Sequence, residues 1–335
     1  MDEMTQGLEI SAIIPTYNRP DDLQECLQSI LDQTVRPSEV VVVDNGDSGV
    51  GRTQEVVEQM EGTLAAAGIL VRYIQNRRQN SLTTARNLGI DFSRGSIISF
   101  LDDDVVLDPR YYEAILEVYR THPQALGVEG LVVGDGRRNP IAFGLEQILG
   151  RVFYLGFREQ ARCRVLPSLG VTYPLTEELV TCEWLSGACA TYRRHVFNDF
   201  RPDEKLRKYA DNEDLDLSYG VFKKFPGTLW LTPQAKCHHK TSAQGRITGR
   251  ERVYMQEVYR YYLFHKHIAI TPKNLCIYIW SRVGRVVYLL VRSAVRLSPV
   301  DLQEAGHLPG AWALCVRHHS QSRRGDLTFF DQFLS

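Results

Sequence analysis

No Cys-x-x-Cys pair occurs in this sequence, and its seven cysteines, at 26, 163, 182, 189, 237, 276 and 315, are odd in number. Neither a disulfide framework nor a zinc ribbon is therefore indicated, and a reducing cytoplasm suits such thiols. An excess of either charge is also missing. The 39 Lys and Arg against 40 Asp and Glu leave a formal net charge of -1, which argues against a general nucleic-acid binder, so no nucleic-acid partner is expected. The stretch from Met1 to Glu9 lacks the positive start and apolar core of a signal peptide, and export by that route is not expected. No internal repeat and no low-complexity tract appears. Long uncharged apolar runs are absent as well: Leu275 to Val295 is strongly apolar, but Arg282, Arg285 and Arg292, with Arg296 just beyond, are too many charges for a simple transmembrane span. At 100° per residue the four arginines share an arc of about 80°, opposite Ile277, Trp280, Val283, Val287, Leu290, Val291 and Ala294. Such a helix either lies in the headgroup plane of an anionic membrane, making the chain peripheral at the inner face, or packs its apolar face on the rest of the chain with its arginines in solvent.

What is present is an ordinary globular composition, with 44% hydrophobic and 24% charged residues over 335 positions, enough for one large or two unequal domains. Strands are expected at 10–14, 39–43, 69–74 and 96–101, alternating with helices that follow residue 20 and span about 52–66, 82–93 and 110–121. These strands lack polar alternation, as in Val40-Val-Val-Val43, and so predict a doubly wound, mostly parallel α/β sheet covered by helices on both faces. Residues 127–170 carry no legible pattern. A strand pair is expected over 180–192, an acidic helix start at Asp211 to Asp216, and helices after about 245, dividing the chain into domains 1–245 and 246–335.

Asp102, Asp103 and Asp104 stand where the strand 96–101 leaves the sheet, the edge at which open α/β sheets bind ligands. Three adjacent anions repel one another, and hard carboxylate oxygens on a short turn suit Mg²⁺ or Mn²⁺, particularly when a substrate phosphate completes the shell. An acidic turn capping the next helix is the structural alternative.

Further motifs fall into order around this cluster: Pro15-Thr-Tyr-Asn-Arg19, Asp44-Asn-Gly-Asp47, Ala85-Arg-Asn87, Trp184-Leu-Ser-Gly-Ala188, Asn212-Glu-Asp-Leu-Asp216 and Lys236-Cys-His-His-Lys240. Over roughly residues 9 to 242 this order resembles family 2 glycosyltransferases of the GT-A fold. The resemblance implies an inverting, metal-dependent transfer of a sugar from a nucleoside diphosphate donor to a glycan or lipid-linked glycan acceptor. Pro15, Thr16, Tyr17 and Arg19 would line the nucleotide pocket, with Asp44 and Asp47 toward the base and Arg86 toward base or phosphate. Asp104 and Asp102 would hold the Mn²⁺ or Mg²⁺ ion, with Asp102 also near the ribose, Asp103 as their neighbour, and His238 favoured over His239 as a further ligand. Asp214 would be the general base and Glu213 would orient it or the acceptor. Gly187 would let backbone approach the donor sugar, and Trp184 would face the acceptor. After Asp47 the chain reads Ser48-Gly49, where the family usually shows a hydroxyl residue before a second acid. Two other readings compete. A nucleotidyltransferase that forms the nucleotide sugar would carry an early glycine-rich loop, which residues 10–25 lack; a non-catalytic scaffold of the same fold would have a degenerate acidic set.

Overall fold

The computed structural model describes residues 7–46, 52–134, 140–242 and 247–334, apart from the side chain of Ile141. Asp47 lies outside the described residues. The chain divides into two compact units: Met1–Asp135, Thr176–Lys208 and Glu213–Arg246 form one, and Gly136–Leu175, Tyr209–Asn212 and Ile247–Ser335 the other.

The first unit opens with β1 (Ile10–Thr16), α1 (Pro20–Leu31), β2 (Glu39–Asp44), α2 (Thr53–Ala66), β3 (Leu70–Gln75), α3 (Leu82–Phe92) and β4 (Ile97–Phe100). Proline in the first turn and Asp21 and Asp22 beside it favour the start of α1, whose Leu23, Leu27, Ile30 and Leu31 are buried. Burial of each such side chain contributes about 1.5–3 kcal/mol. Every residue of β1, β2 and β4 is buried, as unbroken apolar strands covered on both faces require. Next come β5 (Val105–Leu107), α4 (Tyr111–Thr121) and β6 (Gly127–Gly134). The second unit then takes α5 (Pro140–Val152), β7 (Gly156–Gln160) and β8 (Val171–Leu175), before the first unit is completed by β9 (Val180–Cys182), β10 (Thr191–Arg193), α6 (Glu213–Lys224) and β11 (Leu229–His239).

These strands build a nine-stranded sheet in the order β3-β2-β1-β4-β10-β6-β11-β5, with β9 also paired to β11. The pairs β3-β2, β2-β1, β1-β4 and β6-β11 are parallel, and β10 runs antiparallel between β4 and β6. The mostly parallel α/β sheet expected from the sequence is thus what forms. The strands expected over 180–192 do not pair with each other. Both β6 and β11 separate them in the sheet, so the connection carrying Trp184 to Ala188 crosses two strands rather than closing a hairpin. Carboxyl ends of β1, β2, β4 and β11 share one edge of the sheet, which gathers the motifs that are scattered in sequence. Gly89 lets α3 lie against β1, since a Cβ there would collide with Ile13.

In the second unit, α7 (Gly249–His267), α8 (Pro272–Arg296) and α9 (Pro299–Arg317) follow β11. Residues 140–175, expected in the first domain, group with these helices because α5 packs on α8. The orientation of α8 corrects both sequence alternatives, which had its arginines facing out. Arg282 is buried against Glu257 at 3.1 Å, Arg285 reaches Glu257 at 3.2 Å, Arg292 pairs with Asp301, and Arg296 reaches Glu146 at 2.8 Å. Acidic residues on α5, α7 and α9 therefore draw the basic face inward and turn the apolar face out.

Candidate active site

Alternation along the chain after β4 separates the three aspartates. Asp103 turns inward: its Oδ2 accepts a hydrogen bond from Thr16 Oγ1 at 2.8 Å and its Oδ1 one from Arg19 Nη1 at 2.9 Å. Burial pushes its carboxyl up to about 6 against the opposing pull of Arg19 and Thr16. Asp103 and Arg19, both expected at the donor, thus bind each other beneath the end of β1, while Tyr17 is exposed and Pro15 and Thr16 are buried within the strand.

Asp102 and Asp104 instead meet His239, and one ligand atom from each of the three lies within 4.8 Å of the others. Asp104 Oδ1 is 3.1 Å from His239 Nε2, and its Oδ2 accepts from the Ser242 amide at 2.9 Å. Although burial alone would raise the Asp104 carboxyl, the bond and charge of His239, with Ser242 and Arg19, outweigh it and hold it at about 2. His238, the favoured ligand in the sequence reading, is not in this group and sits 3.3 Å from Asp108 Oδ1. Antiparallel pairing sets His239 opposite Val105 and His238 opposite Val106. Successive strand residues face opposite sides, so this register delivers His239 to Asp104 and sends His238 away. Two carboxylates and one imidazole form a hard oxygen and nitrogen donor set that fits a divalent cation.

Arg86, from α3, is fully buried and ties this group to the next. Its Nη2 donates to Asp102 Oδ1 at 3.2 Å and to the Gly187 carbonyl at 2.8 Å, its Nη1 donates to Glu213 Oε1, and its guanidinium lies over the Phe100 ring. The sequence reading had sent this side chain to base or phosphate; the structure engages it with protein groups. Glu213 begins α6 with its Oε2 unpartnered among the described residues. Burial pushes Glu213 up to about 8, with Arg86 opposing and the charges of Asp214 and Asp102 adding.

Asp214 is half-buried beside it, Oδ2 accepting from the Gly187 amide at 2.9 Å and Oδ1 from the Leu215 amide at 2.8 Å. Glycine at 187 is required by close approach: a Cβ would stand 2.8 Å from Arg86 Nη1 and 3.1 Å from Asp214 Cβ. Asp44 closes β2 with Oδ1 accepting from the Gly46 amide at 2.8 Å and Oδ2 from Tyr73 Oη at 2.9 Å. Trp184 is buried. Two supports escaped the sequence reading: Tyr73, which holds Asp44 from the next strand, and Glu129, buried on β6, which accepts from the Ser186 amide. Neither lies near a motif, so no sequence signal marked them.

The sequence model of glycosyl transferase family 2 matches residues 11–168. Over this span the chain matches a family 2 glycosyltransferase domain. The matched span contains Asp44, Arg86 and the three aspartates, whereas Trp184, Glu213, Asp214 and His239 lie beyond it. A glucosyl-dolichyl phosphate glucuronosyltransferase of Haloferax volcanii is 26% identical over 244 residues, 70% of this chain and 69% of that protein. Alignments to several other curated glycosyltransferases span about a third of those proteins. Among solved structures, residues 1–349 of Staphylococcus aureus TarS align with a TM-score of 0.54 at 16% identity, covering 94% of this chain and 83% of that one. The mannosyltransferase PcManGT of Pyrobaculum calidifontis, solved with GDP-Man and Mn²⁺, aligns with a TM-score of 0.55 at 14% identity, covering 92% and 86%. At such identities the likeness is one of fold, and the fold is that of the GT-A glycosyltransferases. The present glycosyltransferase completes it with its C-terminal helices.

Proposed function

We propose that this glycosyltransferase passes a sugar, with inversion, from a nucleoside diphosphate donor to the hydroxyl of a glycan or lipid-linked glycan acceptor, in polysaccharide or glycoconjugate synthesis. The observation that carries this reading is a single connected site. Asp102, Asp104 and His239 are in ion-sharing reach of one another, and Asp102 is joined through Arg86 and Gly187 to Asp214. An intact acidic set of this kind favours catalysis over a scaffold role. Solved structures of TarS with UDP-GlcNAc and of PcManGT with GDP-Man and Mn²⁺ support the donor class and the cation.

Asp104, Asp102 and His239 would hold Mn²⁺ or Mg²⁺, which when bound stabilises charge developing on the diphosphate leaving group. Asp214 takes the proton from the acceptor hydroxyl at one carboxylate oxygen as that hydroxyl attacks the anomeric carbon. Backbone amides of Gly187 and Leu215 orient it, each using one lone pair of an oxygen that has another to offer. Glu213 anchors Arg86, which positions Asp102 and the Gly187 carbonyl at once. One base with no partner nucleophile gives a single displacement, hence inversion. Asp44 and the exposed Tyr17 ring serve the nucleotide, with Pro15, Thr16, Arg19 and Asp103 shaping the floor of that pocket; Trp184 supports the acceptor side from below. The free thiols of Cys26, Cys189, Cys237, Cys276 and Cys315 agree with a cytoplasmic setting.

A thermal-shift screen of UDP, GDP, CDP and dTDP, each with Mn²⁺ or Mg²⁺, tests this function. One nucleotide at about 100 times its Kd is expected to add about 2.7 kcal/mol of stability, and EDTA to remove it. If none of the four stabilises the protein with either cation, the proposal fails.

A further inference from the structure

The helix α8 departs from a surface helix in water: its arginines are tied to carboxylates of the same unit, Arg282 being buried, while Tyr278 and Leu289 pack inward and much of the remaining apolar surface faces out. Arg282, Arg285, Arg292 and Arg296 each meet an acidic residue of the same unit. On the opposite side Ile279 is 54% exposed, Trp280 46%, Val283 45% and Leu290 45%. The apolar surface continues onto α5, where Val152 is exposed and its carbonyl accepts from Trp280 Nε1 at 2.9 Å. A continuous exposed apolar face on a helix of 25 residues, about 37 Å long, marks a contact surface.

Charge decides what covers it. No Asp or Glu occurs between Glu257 and Asp301, a stretch holding seven Lys and Arg. The carboxylates that neutralise α8 all approach from within, so the outer face carries no anion of its own. Exposed basic residues border it instead, Lys273 at the start of α8 and Arg151 next to Val152. A second copy docked on the same face would bring cations against cations at this rim, because a two-fold interface repeats one patch on both sides. An anionic bilayer offers the complement: acyl chains for the apolar side chains, lipid phosphates for the border, and an interfacial level suited to the Trp280 indole. Four internally paired arginines argue for lying on the membrane rather than crossing it.

We infer that the outward face of α8, with the end of α5, docks on the surface of an anionic membrane, sinking Ile279, Trp280, Val283 and Leu290 into the headgroup boundary. This differs from the mode expected from sequence, in which the arginines themselves met the lipid. It stands independently of the transferase reading, since it is measured without donor or acceptor.

The test is flotation of the full chain with phosphatidylcholine vesicles and with vesicles containing about one-third phosphatidylglycerol, at low and high salt. Wild type is expected to float with the anionic vesicles, less so at high salt, and brominated lipid is expected to quench a component that Trp280→Phe lacks. The double variant Val283→Glu with Leu290→Glu changes exposed positions and is expected to keep the wild-type melting temperature while losing vesicle affinity about tenfold or more. Absence of wild-type binding to anionic vesicles at low salt overturns the inference. So does a wild-type dimer, seen by light scattering, that the double variant dissociates while vesicle binding is unchanged, for that outcome assigns the face to a second copy.

Discussion

Glu213 and Asp214 are sequence neighbours with opposite surroundings, and the difference divides their work. Glu213 is buried against Arg86, while Asp214 is half-buried and held by two amides. Asp214→Asn is accordingly expected to lower kcat by about 10²–10⁴, the usual contribution of a general base, with nucleotide affinity kept within about threefold. Calorimetry beside steady-state rates checks it, and joint loss of affinity and rate would reassign Asp214 to donor binding. The two histidines divide in the same way. His239→Ala is expected to weaken the activating cation by about tenfold or more, given that even groups behind a metal ligand cost 10–100-fold, whereas His238→Ala leaves the metal titration close to wild type. Titrating activity with Mn²⁺ separates them; equal shifts in both variants would place neither at the ion.

At the scale of elements, the site depends on α3 and the connection from β9 to β10 being pressed together at Arg86 and Gly187. A methyl group at 187 would sit 2.8 Å from an arginine nitrogen that is itself bonded to Glu213, so the guanidinium cannot swing aside without breaking a buried hydrogen bond. Gly187→Ala is therefore expected to displace Asp102 or Asp214 and to cut kcat about 10²-fold, the cost of misplacing reacting groups by about 1 Å, while the protein stays folded. Wild-type rates in this variant would show that Arg86 does not couple the two carboxylates. Register matters as much as packing: one residue of slip between β5 and β11 would exchange the two histidines.

Across the whole molecule, buried carboxylates couple folding to pH. The Glu213 carboxyl, ordinarily near 4.5, is pushed up to about 8, so the folded protein keeps a proton that the unfolded chain releases over that interval. Its contribution to stability is complete below the unfolded value and is lost as pH rises through the folded one. Glu213→Gln cannot titrate, and its melting temperature relative to wild type is expected to rise from about pH 5 to about pH 8. Parallel pH curves for the two proteins would contradict the burial argument. The same logic at larger scale governs the second unit, where Glu257 stays ionised below the usual glutamate range because Arg282 and Arg285 offset the cost of burying it.

Local pattern was enough to read the GT-A sheet, because unbroken runs such as Val40 to Val43 are permitted only in strands covered on both faces, and enough to find Asp102 and Asp104, because stacked carboxylates after a strand announce themselves without a fold. Residues 127–170 were illegible since their elements draw burial from distant partners rather than from periodicity of their own: β6 lies between β10 and β11 in the sheet, and α5 packs on α8. His239 rather than His238, the turning of Arg86 toward Glu213 and Asp102, and the inward arginines of α8 were all decided by partners distant in sequence. Sequence spacing determines which side chains share a face of one element; which way that face turns is settled only when another element supplies the opposite charge or the strand register that receives it.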